Sequence, residues 1–152
     1  MIGISHYVNL KTNQKQIEKL IQLVNWIKTE IRYTQAEIYD IVKDLLNNNN
    51  FKSLSFLNDV KNNMNNMSFP KAWETAIASW NSSMLKEDEE LLNSMANILG
   101  ASDSTGQISA LDHIEKRFEA SYEAAKNLCE TKGKLYKSLG ILMGLAVCVI
   151  FI

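Results

Sequence analysis

Residues 13–46 read NQKQIEKLIQLVNWIKTEIRYTQAEIYDIVKDLL, and their apolar spacing decides the fold class. Ile17, Leu20, Val24, Ile27, Ile31, Thr34, Ile38, Ile41 and Leu45 recur at alternating intervals of three and four. Such intervals put side chains on one stripe of a helix, here a heptad seam of about four repeats. Ile21, Val42 and Leu46 widen the stripe, which suits a helix in a bundle better than a bare two-stranded coil. The spacing predicts one helix from Asn13 to Leu46. It stops at Asn47-Asn48-Asn49-Asn50, whose amides compete with the backbone for hydrogen bonds and favour turns.

Moving toward the C-terminus, Phe51 to Met64 reads as a second helix carrying Leu54, Leu57 and Met64. Ser68-Phe69-Pro70 opens a third: Ser68 is the candidate cap, and proline is tolerated in a first turn, where its missing N–H costs nothing. Ala72, Trp73, Ala76, Ile77 and Trp80 follow at helical spacing, and Asn81-Ser82-Ser83 ends the run. Glu87-Asp88-Glu89-Glu90 opens a fourth helix with charges that complement its dipole. Leu91, Leu92, Met95, Ile98 and Leu99 form its buried face, and Gly100 is the expected stop. Ser104-Thr105-Gly106-Gln107 has capping-box spacing. Beyond it Ile108, Leu111, Ile114, Phe118, Tyr122, Ala125 and Leu128 make a second long seam, expected to pair with the first in an orientation the spacing leaves open.

The final stretch, Leu139 to Ile152, reads LGILMGLAVCVIFI and carries no charge. As a helix it is about 22 Å long, against roughly 30 Å of hydrocarbon in a bilayer. Tyr136 and Lys137 extend it by lying at headgroup level, and a bilayer thins locally around a short span. A buried core helix is the other reading, but such a helix should keep a polar face and this one has none. Lys132, Lys134 and Lys137 precede it and place the preceding domain on the cytoplasmic side. Gly140 and Gly144 have the small-xxx-small spacing at which membrane helices pack closely. The organisation expected is therefore a short N-terminal segment (1–12), a helical bundle (13–137) and a membrane segment (138–152). The fold class is all-α, with five to six helices and long first and last ones.

Composition narrows the function. The net charge of −1 and the lack of basic runs argue against nucleic-acid binding. One proline and few glycines fit helices. Met1 to Leu10 is too short and too interrupted, by His6 and Asn9, for a secretory signal. Cys129 and Cys148 lack metal spacing, are not expected to meet in a disulfide, and read as small buried side chains. His6 and His113 are the only histidines; the acidic neighbours of His113 at adjacent helical positions point other ways, so no metal site is expected. No glycine-rich phosphate loop, catalytic constellation, cofactor site or small-molecule substrate site is expected either. Trp73 and Trp80, seven apart, are core packing or a partner-facing anchor. The turn at Ser102, Asp103 and Gln107 is the candidate partner-binding site, with helix capping by Ser104 and Gln107 as the plainer reading.

Several stretches in order resemble the stage III sporulation protein AB family of endospore-forming bacteria. They are Glu30-Ile31-Arg32-Tyr33, Ala72-Trp73, Asp88 with Leu91 and Leu92, Leu99-Gly100-Ala101-Ser102-Asp103 with Gln107, and Tyr136 through Gly144. Members usually begin with an apolar membrane helix. Here only Met1-Ile2-Gly3-Ile4 precede polar residues, which fits a start codon assigned too late or a reduced first anchor. The resemblance implies a subunit of the complex linking mother cell and forespore, with a soluble domain similar to the helical platform domain of type II secretion F-type proteins. It also implies binding to a secretion-type ATPase, to other channel subunits and to membrane lipid, at the mother-cell membrane around the forespore. The rival expectation is a generic tail-anchored coiled-coil tether without a secretion role.

Overall fold

The computed structural model describes the backbone of residues 2–34, 36–100 and 103–151, and within these the side chains of residues 10–150. Among the described residues there are six α-helices and no strand: α1 Ile2–Thr34, α2 Ile38–Asn47, α3 Phe56–Asn63, α4 Phe69–Ser79, α5 Lys86–Leu99 and α6 Ser104–Phe151. The all-α bundle with long first and last helices is the architecture the seams predict. α1 and α6 each run unbroken through the expected segment boundaries at 12/13 and 137/138.

The two seams meet antiparallel. Lys28 of α1 reaches Asp112 and Glu115 of α6, while Gln14, earlier in α1, lies beside the Tyr122 hydroxyl, later in α6. Ile17, Leu20, Val24, Ile27 and Ile31 are buried against the core shared with Leu111, Ile114, Phe118 and Ala125. Leu23, outside the heptad positions, is buried too and belongs to the same core. In α6 the seam drifts: Leu128 is exposed and Cys129 takes the buried position. A straight helix of 3.6 residues per turn slips against a seven-residue repeat in this way.

The first seam is not one helix. It breaks after Thr34, and Glu37 is extended (φ −68°, ψ 152°) ahead of α2. The Thr34 hydroxyl donates to the Glu30 carbonyl at 2.6 Å and accepts from the Ala36 N–H at 3.3 Å. A side chain that satisfies backbone groups at both ends competes with helix continuation. Thr34 is exposed and Ile38 only half-buried, so the seam's midpoint is its weak point. Downstream, Ile41, Val42 and Leu45 return to the core.

The asparagine run ends α2 as expected, and the Asn48 side chain accepts from the Asn50 N–H at 3.0 Å. The second helix is shorter than the spacing predicts: a 3₁₀ turn at Asn49–Phe51 buries Phe51, and α3 begins only at Phe56. Pro70 lies in the first turn of α4, but the Ser68 side chain makes no cap bond. Trp73 is fully buried, its indole N–H donating to the Leu92 carbonyl at 2.9 Å, which locks α4 onto α5. Phe56 packs edge-on against Trp73 at 5.3 Å and beside the half-buried Trp80 at 4.8 Å. The Gln16 side-chain oxygen Oε1 accepts from the Ser83 N–H at 3.0 Å and ties the α4–α5 link to α1.

Lys28 makes a charge-assisted clamp across the long pair. Its ammonium lies 2.6 Å from Asp112 and also pairs with Glu115. Burial alone would lower the Lys28 pKa, but the two carboxylates together raise it above the ordinary lysine range. The hydrogen bond from Lys28 lowers that of Asp112, aided by the charges of Lys28, Arg32 and Lys116. The raised lysine contributes stability below its ordinary range that is lost as pH rises through its folded value. The lowered carboxyl contributes stability above its ordinary range that is lost as pH falls through its folded value. Urea unfolding should therefore show the greatest difference between wild type and Lys28→Met near neutral pH. The difference should shrink below about pH 4, as the carboxylate range is crossed.

Candidate functional site

The expected partner-binding turn joins α5 to α6. Ser102 lies outside the described residues, while Asp103 and Gln107 are placed. Gly100 closes α5 in a right-handed conformation (φ −79°, ψ −7°), so no left-handed turn is what requires glycine there. Close approach does: a Cβ at Gly100 would lie 3.3 Å from the Ala96 carbonyl oxygen and 3.4 Å from Pro70 Cγ. The start of α4 is thereby pressed against the end of α5.

Asp103, not Ser104, caps α6. Its carboxylate accepts from the Thr105 N–H and the Gly106 N–H, both at 3.2 Å. Ser104, where the capping-box spacing puts the cap, is already the first helical residue, one position past the actual cap. A carboxylate there satisfies otherwise unpaired N–H groups and complements the helix dipole. Gly106 leaves room for it, since an added Cβ would come within 2.8 Å of Asp103 Oδ2. The Gln107 amide donates to the Leu99 carbonyl at 3.2 Å and bridges the turn. The turn thus holds itself together while leaving Asp103 exposed.

This assignment separates the effects of two neighbouring substitutions. Asp103→Ala should lower stability by about 1 kcal/mol, whereas Ser104→Ala should be nearly neutral. Asp103→Asn should keep the cap, since asparagine caps about as well as aspartate. Urea unfolding of the three variants checks the assignment, and equal losses for Asp103→Ala and Asp103→Asn would overturn it.

The acidic start of α5 holds more than dipole complements. Asp88 is buried and accepts a 2.6 Å hydrogen bond from the Ser121 hydroxyl of α6. A signal for its burial was present: Asp88 precedes Leu91 and Leu92 by three and four residues, on the face they bury. The Lys28 clamp had no such signal, because it depends on the pairing register of α1 and α6. His113 is exposed, and the side chain of His6 lies outside the described residues. Among the described residues no group of three or more His, Cys, Asp or Glu side chains is placed to hold a metal. Both cysteines are free thiols; Cys129 is buried, but Cys148 is exposed, contrary to its reading as a buried side chain.

The second candidate element is the distal part of α6. Of the described residues, one helix is long and apolar enough to cross a membrane, and its apolar window is not buried at all by the rest of the chain. Leu139, Ile141, Leu142, Met143, Leu145, Val147, Val149 and Ile150 are all exposed, Ile150 to 78%. The reading as a buried core helix is thereby excluded for the described chain. A Cβ at Gly140 or at Gly144 would meet nothing within 4 Å, so the small-residue face is open.

The apolar run thus continues the helix that packs into the core, and the Asp103 turn is at the end of α6 away from that run. No curated protein and no solved structure matches the chain. A family model described as stage III sporulation protein AB matches residues 1–152, the whole length. The chain belongs to the stage III sporulation protein AB family.

Proposed function

We propose that the protein is a membrane-anchored scaffold subunit of the mother cell–forespore complex, working by binding rather than by catalysis. The observation that supports this reading is α6 itself. Its first part is packed into the bundle by Leu111, Ile114 and Phe118, and its last part is apolar and exposed on every side. A continuous helix transmits position rigidly, so the bundle stands at a fixed height above the bilayer. The far end of the bundle, at Ser104, stands about 50 Å from Leu139. The Asp103 turn then faces away from the membrane, where a soluble partner approaches. In this proposal the partner is the complex's secretion-type ATPase, met at Asp103 and its neighbours Ser102 and Gln107. Gly140 and Gly144 pack against a membrane helix of another channel subunit. Lys132, Lys134 and Lys137 favour a cytoplasmic bundle at the mother-cell membrane around the forespore.

The test is recruitment of the purified ATPase to nanodiscs carrying the full chain. The proposal expects saturable recruitment that empty nanodiscs lack. A chain that inserts but recruits no ATPase would instead be a tail-anchored tether.

A further inference from the structure

A groove of about 490 Å³ runs between the start of α1 and the part of α6 that precedes the apolar run. Four lysines line it, Lys11, Lys126, Lys134 and Lys137, against a single carboxylate, Glu130. In a chain whose net charge is −1, this is a marked local excess of positive charge. Its volume falls in the range of small-molecule sites, roughly 300–1,000 Å³. Buried Cys129 and side-chain-free Gly133 also line it. Among the described residues no carboxylate pairs with Lys126, Lys134 or Lys137.

The lysines lie at graded depths. Along the helix, Lys137 is about 3 Å and Lys134 about 8 Å from Leu139, where the uncharged run begins. Lys126 is about 20 Å away by the same rise. The headgroup layer on one side of a bilayer is roughly 5–8 Å deep. The upper end of the groove therefore opens within the headgroups, and the lower end lies in water.

We propose that this groove holds the phosphate headgroup of an anionic phospholipid, gripped by Lys134 and Lys137. The site rests on the reading of residues 138–152 as a membrane segment. A free phosphate offers the same chemistry, but it has no reason to prefer the membrane end of the groove. A basic residue near an anionic surface strengthens lipid attachment about five-fold.

The test uses native mass spectrometry of the detergent-solubilised full chain with phosphatidylglycerol or phosphatidylcholine added in equal amounts. Wild type should retain phosphatidylglycerol in clear preference. Lys134→Gln with Lys137→Gln should lower that retention roughly 25-fold, and Lys126→Gln less than about five-fold. Unchanged circular dichroism ensures that the variants are folded. Equal retention of both lipids by wild type would overturn the proposal, as would a double variant that still prefers phosphatidylglycerol. Loss from Lys126→Gln equal to that of the double variant, or displacement of the lipid by excess inorganic phosphate, would mark a soluble-anion site and overturn it as well. Carbonate extraction of membranes separates the two levels of failure. A wild-type chain that carbonate removes refutes the membrane segment itself. One that stays in the membrane without a lipid preference refutes only the groove.

Discussion

Removing residues 139–152 transfers the protein from the membrane fraction to the soluble fraction while leaving its bundle folded. No described side chain from Leu139 to Ile150 is buried, so the core loses nothing when they go. What is lost is a run of apolar surface that water penalises at about 25 cal/mol per Å² and that only lipid or another apolar helix can cover. The expected result is near-complete redistribution after carbonate extraction, with helical circular dichroism and a melting temperature close to that of the detergent-solubilised full chain. A truncated protein that remains in the membrane pellet would reveal a second anchor. A truncated protein that is soluble but unfolded would mean that the distal helix supports the bundle.

The largest effect expected within the core is that of Trp73→Ala. Trp73 is fully buried between Phe56 (5.3 Å between ring centres) and Phe69 (5.6 Å), and its indole N–H is committed to the Leu92 carbonyl. Truncation removes that hydrogen bond, two aromatic contacts and the volume that joins α3, α4 and α5. Large-to-small changes of this kind cost about 3–5 kcal/mol, a large share of a typical domain's stability. Trp80→Ala should cost clearly less, because Trp80 is half-buried at the end of α4 and packs mainly on Phe56. Urea unfolding of the detergent-solubilised full chain measures both. Equal losses would contradict the assignment of Trp73 as the centre of the short-helix layer and of Trp80 as its edge.

The contrast between these two tryptophans shows what the sequence can and cannot display. Helix type and the two seams were legible because apolar spacing is a local signal, repeated many times between Ile17 and Phe118. The break after Thr34 was not, because the heptad interval from Ile31 through Thr34 to Ile38 continues across it. Only the use of the Thr34 hydroxyl on the Glu30 carbonyl and the Ala36 N–H marks the end. The cap of α6 was misplaced by one residue for a related reason. Ser104 and Gln107 satisfy a spacing rule, but the carboxylate one step earlier reaches two N–H groups at once. The apolar distal helix was legible without any partner, since a helix with no polar face cannot hide in a bundle this small. Long-range polar contacts, Lys28 with Asp112 and Glu115 or Asp88 with Ser121, required the pairing register, which no local pattern encodes.

The turn at Asp103 is where structure and proposed function overlap, and the cap assignment supplies the means to separate them. Asp103→Asn keeps one capping oxygen and removes the charge, and asparagine caps about as well as aspartate, so stability and partner binding need not change together. The most direct measurement is the affinity of the purified complex ATPase for nanodisc-embedded full chain, wild type against Asp103→Asn, with unfolding curves recorded on the same samples. The scaffold account predicts saturable ATPase binding by wild type, weakened at least about five-fold in the variant with stability unchanged, as expected for loss of a charged contact of about 1 kcal/mol. Absence of ATPase binding by a folded, membrane-inserted wild-type chain would contradict it.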